Sequence, residues 1–157
     1  MIRRHFISLP LISAAAAAQD APARKKIDKG PPLAVELVRE FVGAGHSDLT
    51  KVKAMLAEQP GLIEAAYDWG GGDFEMALGG AGHMGQREIA EYLIAQGAPV
   101  ELHAAAMLGK LDLVKAAVAA FPNVAHIPGP HKITLIAHAR KGGLQAEAVV
   151  DFLESLK

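Results

Sequence analysis

The chain contains no cysteine, few aromatic residues and no excess of either charge. Without cysteine there is no disulfide, no lipoprotein anchor, no thiol nucleophile and no cysteine-ligated zinc, so packing alone must hold the fold. Aromatic side chains make up 5% of the 157 residues, which argues against a sheet built around large rings. A net charge of -1, from 16 basic and 17 acidic residues, gives no footprint for nucleic acid, and Arg24-Lys25-Lys26 is the one basic run. Serine is scarce: after the first 18 residues only Ser47 and Ser155 remain. No Ser-His-Asp order, paired-carboxylate spacing or nucleophile elbow is present, so no enzyme is expected. What the chain has is Ala, Leu and Val in quantity, with apolar residues at 51%. Strong helix formers and short β-branched runs predict an all-α fold.

The first 18 residues differ from the rest. Met1-Ile2-Arg3-Arg4 is a positive head, Phe6 to Ala18 is an uncharged apolar run, and Ala16-Ala17-Ala18 precedes Gln19. That is the order of a secretory signal peptide, too short to span a bilayer of ~30 Å. Arg3-Arg4-His5-Phe6-Ile7 resembles a twin-arginine signal, with Ile2 standing where that signal prefers Ser or Thr. The resemblance implies export to the periplasm or beyond, with cleavage after Ala18 or Ala23. Residues 19–32, rich in Pro, Ala and Lys, read as a flexible linker, and 33–157 as the folded domain. No membrane anchor is expected after signal removal.

From Pro32 onward short helical patterns come in pairs. Leu33, Leu37, Val38, Phe41 and Val42 stop at Gly43-Ala44-Gly45; Asp48 then caps Leu49, Val52, Met55 and Leu56, ending at Pro60-Gly61. After the turn Asp68-Trp69-Gly70-Gly71-Gly72-Asp73, a helix is predicted over 74–82 and its partner over 86–96. Leu102 to Met107 pairs with Leu111 to Phe121, closed by Pro122, and Ile133 to Arg140 pairs with a helix carrying Val149, Val150, Phe152, Leu153 and Leu156. The breaks at Gly45, Gly82, Gly109 and Gly142 lie 37, 27 and 33 residues apart.

Leu102 to Val118 resembles the ankyrin repeat: Leu-His, small residues, a glycine, then Leu-Asp-Leu-Val-Lys. Gly82-His83 with Ile89-Ala90-Glu91-Tyr92-Leu93-Ile94 and Gly97-Ala98 looks like a second copy; Val38 to Leu56 and Leu135 to Leu153 look like divergent terminal copies. The family's Thr-Pro helix opening is missing throughout. The resemblance implies a helix-turn-helix solenoid of about four repeats, in which stacked units share one core and act as a protein-interaction module. A protein partner, no cofactor and a monomer or weak dimer follow from it.

By that geometry the partner-facing residues are Asp68, Trp69, Asp73, Phe74, Glu75 and Met84 near the first tips, and His131 and Lys132 at the last. Trp69 is either a lid folded on the stack or an interface anchor. Of the seven histidines, His46, His83 and His103 sit where the family uses histidine for hydrogen bonds within and between loops. No His-x-x-x-His or His-Glu-x-x-His spacing occurs, so no metal site is expected. The glycine runs lack a phosphate-loop context and are assigned to positive φ and close helix approach. The alternative reading is a small metal-dependent or hydrolytic accessory protein of the cell envelope using His131 and His138 beside Glu75.

Overall fold

The computed structural model describes residues 30–156. The expected leader at 1–18 and all but the last three residues of the lead-in at 19–32 lie outside the described residues. Eight α-helices occur among them: α1 (Val35–Ala44), α2 (Leu49–Glu58), α3 (Ala77–Met84), α4 (Arg87–Ala95), α5 (Leu102–Met107), α6 (Leu111–Ala120), α7 (Leu135–Lys141) and α8 (Glu147–Glu154). An antiparallel hairpin, β1 (Ala66–Asp68) and β2 (Phe74–Met76), interrupts the series, with Tyr67 opposite Glu75. The protein is mostly helical, as its composition predicts.

Local chemistry sets the helix ends. Asp48 caps α2, its carboxylate accepting the Lys51 amide at 2.9 Å. Gly85 and Gly109 close α3 and α5 with φ of 74° and 75°, a left-handed conformation that glycine adopts without steric cost. In both, the next amide reaches back five residues, Gln86 to Ala81 at 2.9 Å and Lys110 to Ala105 at 3.0 Å. The break expected at Gly82 therefore falls three residues later, and Gly82 lies inside α3. The helix expected from Phe74 also begins late, because Phe74-Glu75-Met76 pairs with β1. Phe121, expected as the last residue of its helix, instead follows it: α6 ends at Ala120, ahead of Pro122, and the ring is 71% exposed.

Two parts of the chain match each other in sequence and shape. Leu49, Val52, Lys53, Ala54, Ala57 and Pro60 recur 62 positions later as Leu111, Val114, Lys115, Ala116, Ala119 and Pro122. Each helix leaves through an extended residue, Gln59 (φ -136°, ψ 84°) or Phe121 (φ -138°, ψ 82°), into a proline-led 3-10 turn, Pro60–Glu64 or Pro122–His126. After the first turn comes the hairpin; after the second comes a tighter loop through Pro130–Lys132, tied by the Gly129 amide to the Ile133 carbonyl at 2.9 Å.

Within each pair the two helices pack together, and the odd-numbered helices form the inner row: α3 lies against α1 and α5, and α5 against α7. α3 also touches α7. That contact skips a neighbour and follows from α5, which has six residues and fully buried Ala104, Ala105 and Ala106, leaving little bulk to hold α7 away. One apolar cluster gathers Phe41, Val52, Leu62, Leu78, Leu93 and Met107; a second gathers Val114, Leu135, Ala139, Val149 and Leu153. Ala104 and Met107 belong to the first and Ala106 to the second, so α5 joins them. No helix among the described residues is long and apolar enough to cross a membrane.

Gly109→Ala would run its new methyl into the Gln145 carbonyl at a left-handed φ, whereas Gly143 (φ 62°) has open space around it. Urea unfolding should show a loss on the order of 3 kcal/mol for Gly109→Ala and about 1 kcal/mol for Gly143→Ala, since only the first adds a backbone clash to the conformational cost. Equal losses would contradict this packing.

Candidate functional site

β2 alternates, as strands do, and this decides the fate of three neighbours. Phe74 faces out at 61% exposure, whereas Glu75 turns in and is 1% exposed. Glu75 is thus not the surface contact expected from the sequence. It is a carboxylate taken out of water, and an unpaired charge there would be prohibitively costly.

Its surroundings come from four separate segments. Trp69, in the hairpin loop, donates its indole N–H to Glu75 Oε2 at 2.8 Å. His46 Nε2, just after α1, lies 3.4 Å from Oε2, and His131 Nε2, in the Pro130–Lys132 turn, lies 3.4 Å from the same oxygen. His83 Nδ1, on α3, is 3.1 Å from Oε1, yet the two atoms are misaligned and neither has a hydrogen-bond partner. Burial alone would raise the Glu75 carboxyl, but His83, His46 and Trp69 outweigh it and hold it below its usual range.

Helix α3 makes room for this. An added Cβ at Gly80 would sit 2.7 Å from the His46 ring, and one at Gly82 would sit 3.4 Å from the His138 ring. Glycine in a helix costs about 1 kcal/mol relative to alanine, and α3 carries three. The space goes to imidazoles. Ring centroids lie 4.9 Å apart for His46 and His83, 5.3 Å for His83 and His131, 6.2 Å for His83 and His138, and 4.8 Å for His138 and His103.

The rim is fastened from outside. The three turn glycines Gly70, Gly71 and Gly72 all have positive φ, and Asp68 Oδ1 accepts the Gly70 and Gly72 amides at 2.8 and 3.1 Å. Asp68 is therefore exposed but engaged in holding the loop. Asp73 takes both the His131 backbone amide and His131 Nδ1, each at 2.8 Å. The His131 amide, above all, holds the Asp73 carboxyl below its ordinary value. His131 and Lys132 have φ of 55° and 57°, the only non-glycine residues so placed among those described. Two successive left-handed residues are strained by roughly 1–2 kcal/mol each, and the Asp73 clamp holds them there.

Of the sequence-predicted contacts, Phe74, Met84 and Lys132 are exposed, while Asp73, Glu75 and His131 form one polar assembly. Trp69, 37% exposed, covers that assembly, with its ring also against His46, Tyr67 and His131. Glu75, His131 and His138, grouped by the alternative reading, do converge: Glu75 touches His131, and His138 lies behind His83. His103 bonds the Ile127 carbonyl at 3.2 Å, as expected of a histidine tying two loops. His46 also bonds a backbone carbonyl, that of Val42 at 3.0 Å, while its other nitrogen faces Glu75, as His83 Nδ1 does.

Two further groups, buried His138 and half-buried Glu101, are shifted far from their ordinary values. Burial pushes His138 from 6.5 down to about 4, against a hydrogen bond to the Thr134 carbonyl. Burial first, and the Glu75 charge second, push Glu101 from 4.5 up to about 7. For His138 the unfolded chain takes up a proton near pH 6.5 that the folded chain refuses until about 4. Its contribution is complete above 6.5 and declines as pH falls, by about 3 kcal/mol in all. For Glu101 the sign reverses: the folded chain keeps a proton that the unfolded chain releases, so stability declines as pH rises from 4.5 through 7. Urea midpoints measured from pH 4 to 8 should show His138→Gln relieved of the acid-side loss and Glu101→Gln relieved of the neutral-side loss. Curves parallel to the parent would contradict both assignments.

No protein-family model, no curated protein and no solved structure matches this chain.

Proposed function

We propose that this chain is a divergent ankyrin-type array, exported from the cell, that works as a protein-recognition module. Several features support the ankyrin reading: short paired helices, the shared cap geometry at Gly85 and Gly109, and the recurrence of α2 as α6 with its proline exit. The contact of α3 with α7 marks where the array curls more tightly than a row of units that meet only their neighbours.

The observation that carries the recognition reading is the tip surface. Phe74 and Met84 stand 61% and 45% exposed, and Phe74 projects from a hairpin whose loop is held by Asp68 and whose Asp73 is clamped to His131. A large apolar side chain on a rigid support offers contact area with little entropy lost on binding. Trp69 serves differently, since its indole N–H is committed to Glu75.

A second use is favoured by the convergence of Glu75, His131 and His138: a small metal-dependent or hydrolytic accessory protein. A hydrolytic role would need an activated water at the centre.

Affinity capture from envelope extracts, using the fragment that begins at Gln19, tests the recognition reading. Phe74→Ala should abolish capture of a specific partner with Tm unchanged. Trp69→Ala should lower Tm by about 5 °C, through loss of a hydrogen bond to a buried charge worth about 2 kcal/mol. Capture that survives both Phe74→Ala and Met84→Ala, or no specific partner at all, would contradict the recognition reading.

A further inference from the structure

We propose that His46 Nε2, His83 Nδ1, His131 Nε2 and a carboxylate oxygen of Glu75 together bind one divalent first-row transition metal ion, zinc foremost. One donor atom from each of these residues can be chosen so that all four lie within 4.8 Å of one another. A tetrahedral ion with bonds of about 2.1 Å has donor–donor edges of about 3.4 Å. Two edges sharing Glu75 Oε2, to His46 Nε2 and His131 Nε2, are already that length at 3.4 Å each, and His83 Nδ1 lies 3.1 Å from the other oxygen, Oε1, of the same carboxylate. The remaining closure is on the order of 1 Å, and the His131 turn lies at the surface where it can move inward.

Hydrogen bonds made away from the centre fix which nitrogens face it. His46 Nδ1 is 3.0 Å from the Val42 carbonyl, which only accepts, so in the neutral ring Nδ1 carries the hydrogen and Nε2 keeps its lone pair. His131 Nδ1 meets the Asp73 carboxylate at 2.8 Å with the same result. An outer carbonyl or carboxylate fixing the tautomer is the arrangement that metal-bound histidines use. Here the two lone pairs point at a carboxylate oxygen 3.4 Å away, which repels them unless positive charge lies between. Protons alone would require imidazolium rings crowded around His83 with centroids 4.9 and 5.3 Å apart. One dication satisfies every group at once.

The orphaned atoms agree. Glu75 Oε1 and His83 Nδ1, 3.1 Å apart, are both buried and have no hydrogen-bond partner. Three imidazoles and one carboxylate, with no thiolate, suit zinc and its first-row neighbours, and not calcium or magnesium. Trp69, His46 and His131 are each partly exposed, so an ion has a path in. The site is independent of partner recognition: a protein that failed to capture any partner would still bind the ion. An ion bound without hydrolysis would keep the site and remove the hydrolytic reading.

Calorimetry of Zn2+ into the tag-free, chelator-treated chain should give one ion per chain with Kd below about 1 µM, and Co2+ should give the intense visible bands of tetrahedral cobalt. Outer-sphere changes at metal sites cost 10–100-fold in affinity, so Glu75→Gln and His131→Asn should each weaken binding by at least about 100-fold, and Asp73→Asn by about 10-fold. Exposed His126 lies outside the centre, and His126→Ala should bind as the parent does. His131→Asn keeps a residue that tolerates left-handed φ, so it serves even if Glu75→Gln fails to fold. Absent or substoichiometric zinc binding, a pale octahedral cobalt spectrum, or affinity unchanged in the foldable ligand variants would overturn the site.

Discussion

A carboxylate can leave water only if other groups take over its hydration, and Glu75 is where this chain meets that demand. The indole N–H of Trp69 and the imidazoles of His46, His83 and His131 surround it, and each arrives on a different segment. The hairpin fixes which way Glu75 points, and the glycines of α3 give the His46 and His138 rings their room. The Pro130–Lys132 turn accepts two unfavourable backbone conformations to bring His131 into place. Local costs in three elements thus converge on one point, a pattern more often tied to ligand handling than to stability alone.

The same centre joins parts of the chain that a simple stack would keep apart. The Asp73–His131 pair fastens the hairpin to a turn 58 residues away. The short, alanine-rich α5 lets α7 reach α3, which places His138 behind His83 and His103 behind His138. The histidines run from the partly exposed His46 and His131 through buried His83 and His138 to half-buried His103. They do so because small residues hollow a channel of their shape in the inner helices. In other positions Ala104 and Gly82 would be weak core residues; here they are spacers.

Much of the helical arrangement was legible because it is written at short range. Asp48 as a cap, Pro60 and Pro122 as terminators, and the apolar spacing of α2, α4 and α6 each act within one or two turns. The hairpin was not legible, since three residues on each side of a glycine loop carry no periodicity long enough to distinguish strand from helix. Gly82 reads as a helix end in the sequence because a glycine inside a helix and one that terminates it look alike until a neighbouring side chain occupies the space. The centre escaped motif reading for a different reason. A short-spacing motif such as His-Glu-x-x-His needs its donors on one helix, and these four come from the turn after α1, from β2, from α3 and from a loop before α7. The available signal was indirect: many histidines beside a helix containing three glycines, which is poor as a helix and good as a floor for rings.

The fold gathers three imidazole nitrogens and the Glu75 carboxylate around one point in space. Diffraction from crystals grown with zinc, recorded at the zinc absorption edge, locates that point directly. The expected result is a single anomalous peak bonded to His46 Nε2, His83 Nδ1, His131 Nε2 and Glu75, with Asp73 still clamping His131. A peak elsewhere, no peak, or a Glu75 side chain turned away from the three rings would contradict it.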